Sequence, residues 1–139
     1  MLDKKNILIT GAGKGIGFST VNECLKNGAK VFALVKSKSD IKKFRNKKNL
    51  YIFNGDVRDK KLINKIFSYS KKINSSINCL VNNAGIRQRK KFDMISAKDI
   101  QNLFEINFFS IFYLSQIFIK NIKKNQSGSI INIGSIVGT

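Results

Sequence analysis

The chain has 139 residues, of which 42% are hydrophobic and 24% charged, with two cysteines and no histidine, proline or tryptophan; this suits one domain with a buried core and excludes a disulfide scaffold. Lys and Arg number 26 against 8 Asp and Glu, a net charge of +18. The cations are mostly scattered lysines with no arginine-and-aromatic patch, so they read as a solvated basic exterior and exclude a nucleic-acid partner. Cys24 and Cys79 fit no metal spacing and read as reduced core thiols, and no metal site is expected.

The apolar run Ile7–Ile9 is the first strand, and it breaks into Thr10-Gly11-Ala12-Gly13-Lys14-Gly15-Ile16-Gly17. A strand that gives way to glycines and then to a helix seats a phosphate, because the unpaired amides of the helix start face it and no Cβ intervenes. A Walker loop fails, since Lys14 precedes Gly15 and no hydroxyl follows it. G-x-G-x-x-G fails too, since Ile16 stands where the third glycine belongs. What remains is T-G-x-x-x-G-x-G, carried by Gly11, Gly15 and Gly17.

From Ile16 to Asn27, residues Ile16, Val21, Cys24 and Leu25 share one helical face, and Gly28 supplies a left-handed stop. Val31–Val35 is a continuous apolar run, as a buried parallel strand requires. Ser39 and Asp40 open a short basic helix with Ile41 and Phe44 inward. Leu50–Phe53 is the third strand, and Asp59 caps a helix that buries Leu62, Ile63, Ile66 and Phe67. Cys79–Val81 is the fourth strand. The densest basic runs, Arg87–Lys91 and Lys120–Lys124, flank the next helix. That helix starts at a capping-box-like Ser96-Ala97-Lys98-Asp99 and turns Ile100, Leu103, Phe104, Ile111, Leu114, Ile117 and Phe118 inward. Its greasiest part, Phe108–Ile119, is interrupted by Ser110, Ser115 and Gln116 and falls short of the ~20 apolar residues of a bilayer span. With no signal-peptide core at the N-terminus, a cytoplasmic protein without a membrane partner is expected. Ile130–Ile133 is the fifth strand, left as an unprotected edge.

This alternation predicts an α/β fold, a doubly wound parallel sheet of Rossmann type in the order 3-2-1-4-5, truncated after its fifth strand. The ligand crevice would lie where strands one and four diverge. Three further motifs follow strand ends: Asp56-Val57, Asn82-Asn83-Ala84-Gly85 and Gly134-Ser135. Each alone is equally a turn. Together with the glycine loop they resemble the N-terminal half of the short-chain dehydrogenase/reductase family, closest in feel to its 3-oxoacyl-(acyl-carrier-protein) reductases.

The resemblance implies roles by position. Thr10 to Gly17, with Gly11, Ala12, Gly13 and Lys14 around the phosphates and Ile16 and Gly17 below, would hold a dinucleotide. Asp56 would accept from the adenine amino group beside the Val57 main chain, and Asn83, Ala84 and Gly85 would meet the ribose. Ser135 would bond the substrate oxygen. Asn107, an amide among Phe104, Ile106, Phe108 and Phe109 that reads as buried, matches an Asn that sits at a helix kink and orders a relay water. NAD-specific relatives carry an acid at the end of strand two. Here Val35 and then Lys36 stand there, and with Lys14 they favour NADP(H) over NAD(H).

The resemblance also calls for Tyr-x-x-x-Lys about a dozen residues past Ser135. Tyr51, Tyr69 and Tyr113 are followed at the fourth position by Gly55, Ile73 and Ile117. The expectation is therefore a fragment of a longer enzyme, inactive alone, whose parent is a homodimer or homotetramer acting on a small-molecule or acyl-carrier-bound carbonyl or alcohol. Lys123 and Lys124 could meet an acidic carrier, although Gln126 replaces an expected cation. The alternatives are a sugar or alcohol dehydrogenase of the same family and a non-catalytic dinucleotide-binding protein.

Overall fold

A computed structural model describes residues 1–122 and 127–135. Five parallel strands, β1 (Asn6–Thr10), β2 (Lys30–Val35), β3 (Leu50–Asn54), β4 (Cys79–Asn82) and β5 (Ser129–Asn132), form one sheet in the order β3-β2-β1-β4-β5. This is the expected Rossmann-type order. Ile7 pairs with both Val31 and Cys79, which places β1 at the centre.

β1, β2 and β4 read as nearly unbroken apolar runs because both their faces are covered, whereas β5 is exposed along its length. Side chains alternate between faces, so Leu8, Phe32 and Leu80 pack on one side with Ile63, Ile66 and Phe67 of α3 (Lys60–Lys72) and with Leu114 and Phe118 of α5 (Ser110–Asn121). Ile7, Ile9, Val31 and Val81 pack on the other side with Val21 of α1 (Gly15–Lys26) and with Phe44. Gly28 stops α1 at φ +90°, and Asp59 caps α3 by accepting from the amides of Lys61 and Leu62. Ser96 and Asp99 form a reciprocal capping box on α4 (Ala97–Phe104). Both cysteines are free thiols, Cys79 buried and Cys24 partly so, and burial pushes each above its ordinary pKa.

Four expectations change. Ile16 is exposed and faces a cleft rather than the core. The short helix α2 (Lys38–Ile41) is capped by Ser37, not by Ser39, and Ile41 is exposed while Phe44 is buried. A π turn, Glu105–Phe109, joins α4 to α5. The extra residue rotates the two helices relative to each other, so Ile100 and Phe104 face solvent and Ile106 is buried instead. Finally, the continuous helix Ala97–Asn121 is long and apolar enough to cross a bilayer by length and composition, more so than the Phe108–Ile119 stretch suggested. Lys123, Lys124, Gln126 and residues 136–139 lie outside the described residues.

Candidate functional site

The loops that leave the carboxyl ends of β1 to β4 enclose a cleft of about 560 Å³. It is lined by Gly11, Gly13, Lys14 and Ile16 after β1, Lys36, Ser37 and Asp40 after β2, Gly55, Asp56 and Val57 after β3, and Asn83 to Ile86 after β4. The volume lies within the range of small-molecule sites.

The glycine loop passes so close to the loop after β4 that it has no room for side chains. A Cβ on Gly11 (φ +61°) would sit 2.8 Å from the Ala84 Cα, and one on Gly17 would strike the Asn83 amide and the Gly11 carbonyl. Gly13 is small for another reason: a Cβ there would overlap the Asp40 carboxylate. Asp40 is buried, and its Oδ1 accepts from Lys43 Nζ at 2.6 Å, while the same ammonium donates to the Gly13 carbonyl at 2.9 Å. Helix α1 begins beneath the loop with Lys14 as its N-cap, with no side-chain cap and no acid in its first turn. Its leading amides therefore face the cleft unclaimed by a side chain, which suits an anion.

Thr10 does not touch the cleft. Its buried hydroxyl accepts from the amides of Asn83 and Ala84, both at 3.0 Å, and donates to the Val81 carbonyl at 3.4 Å. Asn83 returns the connection, its Nδ2 donating to the Thr10 and Gly11 carbonyls at 3.0 and 3.1 Å. Ala12, Gly15 and Gly17 likewise shape the loop without lining the cleft, Ala12 being buried with its amide on the Leu34 carbonyl.

Asp56 lines the cleft, but its carboxylate is already occupied. Oδ1 accepts from the Arg58 amide and Nε at 2.9 and 2.8 Å, Oδ2 accepts from Nη2 at 2.8 Å, and Lys36 Nζ lies 3.4 Å away. The Arg58 guanidinium holds this carboxyl well below the usual carboxylate range. Asn107 sits inside the π turn and is half-buried rather than buried. Its Oδ1 accepts from the Ile86 amide at 2.9 Å and its Nδ2 donates to the Ile86 carbonyl at 2.7 Å, clamping the cleft's far rim. Ser135 lies three residues beyond β5, exposed and outside the cleft lining. The tyrosines are elsewhere: Tyr51 stacks on Phe32, Tyr69 lies edge-on to Tyr51, and Tyr113 accepts from Asn64 Nδ2. Among the described residues no group of His, Cys, Asp or Glu is placed to hold a metal ion.

The family model described as short chain dehydrogenase matches residues 5–139. The chain belongs to the short-chain dehydrogenase/reductase family of oxidoreductases. Membership indicates a nicotinamide dinucleotide cofactor. The 3-oxoacyl-[acyl-carrier-protein] reductase of Buchnera aphidicola is 31% identical over 140 residues, covering 99% of this chain and 57% of that protein. A short-chain dehydrogenase structure from Bacillus anthracis superposes with a TM-score of 0.87 at 25% identity, over 95% of this chain and 57% of that one. The closed form of a serine dehydrogenase complexed with NADP+ gives 0.85 at 27% identity, over 96% and 55%. The chain thus spans a little over half the length of these relatives.

Sequence reasoning missed the connections that hold this short-chain dehydrogenase site together. The Asn83 side chain, the Lys43 bond to the Gly13 carbonyl and the Arg58 bridge from Asp56 to Asn102 Oδ1 at 2.8 Å all join segments distant in sequence. The only available signal was a polar residue at each strand end, which a turn explains equally well.

Proposed function

We propose that the protein is an NADP(H)-dependent oxidoreductase acting on a carbonyl or alcohol, with a 3-oxoacyl thioester as the first substrate class to test. Bound in the cleft, the cofactor would supply or accept the hydride. The Lys14-to-Ile16 turn and the α1 amides would hold its diphosphate, the Asn83–Gly85 main chain its ribose, and the Val57 main chain its adenine. Asn107 would fix the Ile86 rim, and Ser135 would bond the substrate oxygen. The relative named for 3-oxoacyl reduction and the neighbour complexed with NADP+ support this reading.

One observation carries the cofactor choice: the charge at the end of β2. Asp40 is neutralised by Lys43, and Asp56 is held by Arg58. Lys14 and Lys36 are thereby the cations left to receive a 2′-phosphate, where Val35 and Lys36 stand in place of a ribose-binding acid. The Lys36 side chain is 73% exposed and only loosely paired at 3.4 Å. It would exchange Asp56 for the phosphate, and that exchange frees an Asp56 lone pair for the adenine amino group.

A charge-assisted hydrogen bond to phosphate is worth roughly 10- to 100-fold in affinity. Lys36→Gln with Lys14→Gln is therefore expected to weaken NADPH by at least that much and NADH by less than about twofold. Fluorescence titration of both cofactors reads this directly, and a wild-type Kd lower for NADH than for NADPH refutes it. The 139-residue chain, having no Tyr-x-x-x-Lys pair, is proposed to bind the dinucleotide without turnover. The free thiols Cys24 and Cys79 support a reducing, cytoplasmic setting. The exposed Phe104, Phe108, Phe112 and Ile119 support assembly of the full-length protein as a homo-oligomer, checked by light scattering.

A further inference from the structure

Arginine is scarce in this chain: 22 of its 26 cations are lysines, and the four arginines are Arg45, Arg58, Arg87 and Arg89. Arg58 is engaged inside the protein by Asp56. Arg87 and Arg89 stand together, two residues apart, on the segment that leaves the cleft at Ile86.

That segment is tied down at both ends. On one side the Asn107 amide grips both main-chain groups of Ile86. On the other, Lys90 Nζ contacts both carboxylate oxygens of Asp99 at 2.8 and 2.7 Å, and Asp99 is itself locked into the α4 capping box. Between these anchors the Gln88 Oε1 accepts from the amides of Arg89 and Lys90, a tight polar turn. Arg87 and Arg89 are both exposed, and among the described residues neither forms an ion pair. The nearest unengaged acid in sequence, Asp93, lies past Lys91 in the next turn.

A lysine serves a solvated surface as well as an arginine does. The planar guanidinium differs in offering a fixed pair of donors matched to a carboxylate or phosphate. Two such groups, exposed on a braced segment that begins at the cleft-lining Ile86, suit an oxyanion. Their segment follows the Ile86 rim clamped by Asn107, on the loop after β4, whereas Lys14 and Lys36 follow β1 and β2.

We infer that Arg87 and Arg89 recognise an anionic group, carboxylate or phosphate, on the substrate. This rests on the oxidoreductase reading and adds to it a substrate class: an acid rather than a neutral alcohol. The anion could belong to a hydroxy or oxo acid itself or to the phosphate of a carrier-type pantetheine arm.

The test is steady-state kinetics on the full-length protein with charge-matched substrates. Glycerate and gluconate are compared with glycerol and sorbitol, and acetoacetyl-4′-phosphopantetheine with acetoacetyl-pantetheine. The wild type should favour the anionic member of at least one pair by tenfold or more in kcat/KM, about what one charge-assisted bond supplies. The pair that shows the preference identifies the source of the anion. Arg87→Gln with Arg89→Gln should erase the preference through KM, leaving kcat, the neutral substrate and the NADPH Kd within about twofold. Arg87→Lys with Arg89→Lys should recover part of it. Lys47→Gln with Lys48→Gln removes the same charge from an exposed site elsewhere and should change nothing.

A wild type with no anionic preference overturns the inference, as do equal losses on neutral and charged substrates or an equal effect from the Lys47 and Lys48 changes. Failure to bind either dinucleotide overturns the oxidoreductase reading as well. Normal NADPH binding alongside any of the first three results sinks the anion receptor alone.

Discussion

Gly13 is a glycine because the Asp40 side chain lies against it, and changing it to alanine separates packing from backbone effects. Its φ is not positive, so an alanine carries no backbone penalty there. The added Cβ would nevertheless lie 2.6 Å from the Asp40 Cγ and 2.8 Å from its Cβ. Asp40 is only 5% exposed and must move, giving up its 2.6 Å contact with Lys43. Overpacking of this kind costs about 1–3 kcal/mol, and the lost charge-assisted bond adds about 1.5–3 kcal/mol. Gly13→Ala should therefore destabilise by about 2.5–6 kcal/mol in urea unfolding. Asp40→Ala removes the obstruction, so the double variant should be more stable than the sum of the singles by about 1–3 kcal/mol. Gly15→Ala is the control: nothing lies within 4 Å of its added Cβ, but its φ is +51°. It should lose about 1–2 kcal/mol from the left-handed backbone alone and show no coupling to Asp40→Ala. A Gly13→Ala variant within about 0.5 kcal/mol of wild type, or strict additivity with Asp40→Ala, refutes the reasoning.

Thr10→Val keeps the shape of the side chain but leaves the Asn83 and Ala84 amides without the hydroxyl that accepts them; a loss of about 2–4 kcal/mol is expected in the same unfolding assay. Asp56 is stabilised as a carboxylate in the folded state by Arg58, so its contribution is fully present above its unfolded pKa of about 3.9 and fades as pH falls through the lower folded value. Asp56→Asn should accordingly flatten the acid limb of Tm against pH below about pH 4, and a curve parallel to wild type would contradict the pairing.

What was legible in the sequence was local or periodic. Asp59 and the Ser96–Asp99 box cap the helices they precede, because a cap is made within three residues of its own backbone. The strand order followed from the alternation of strands and helices together with the right-handed rule for crossovers. The inward face of the long helix failed for a definite cause. A 3.6-residue period run from Ile100 to Phe118 assumes an unbroken α-helix, and the π turn at Glu105–Phe109 slips the phase by about 100°. Leu114, Ile117 and Phe118 keep their place against the sheet while Ile100 and Phe104 swing out. The same slip leaves Asn107 half-buried against Ile86 instead of enclosed by phenylalanines. Ser39 and Asp40 misled because a buried acid and a capping acid look alike until the glycine loop is seen lying against one of them.

Several polar residues around the cleft share a job that their positions in the sequence do not announce. Thr10, Asn83, Lys43 and Asn107 each use a side chain to hold main-chain groups of the loops that form the cleft. A side chain committed in this way has little left to offer a ligand: the Thr10 hydroxyl already has all its hydrogen-bond positions filled. On the proposed reading, recognition falls to groups that such scaffolding leaves open, the amides at the start of α1 and the exposed ammonium and guanidinium groups of Lys14, Lys36, Arg87 and Arg89. Main-chain amides suit the part of the ligand that is constant, a diphosphate, because their position depends on the fold and not on a rotamer. Exposed cations suit the parts that vary, since a single substitution adds or removes one without disturbing the loops. By this division, changes at Lys14, Lys36, Arg87 or Arg89 should alter which ligand is chosen, whereas changes at Thr10, Gly13 or Asn83 should alter whether the cleft forms at all.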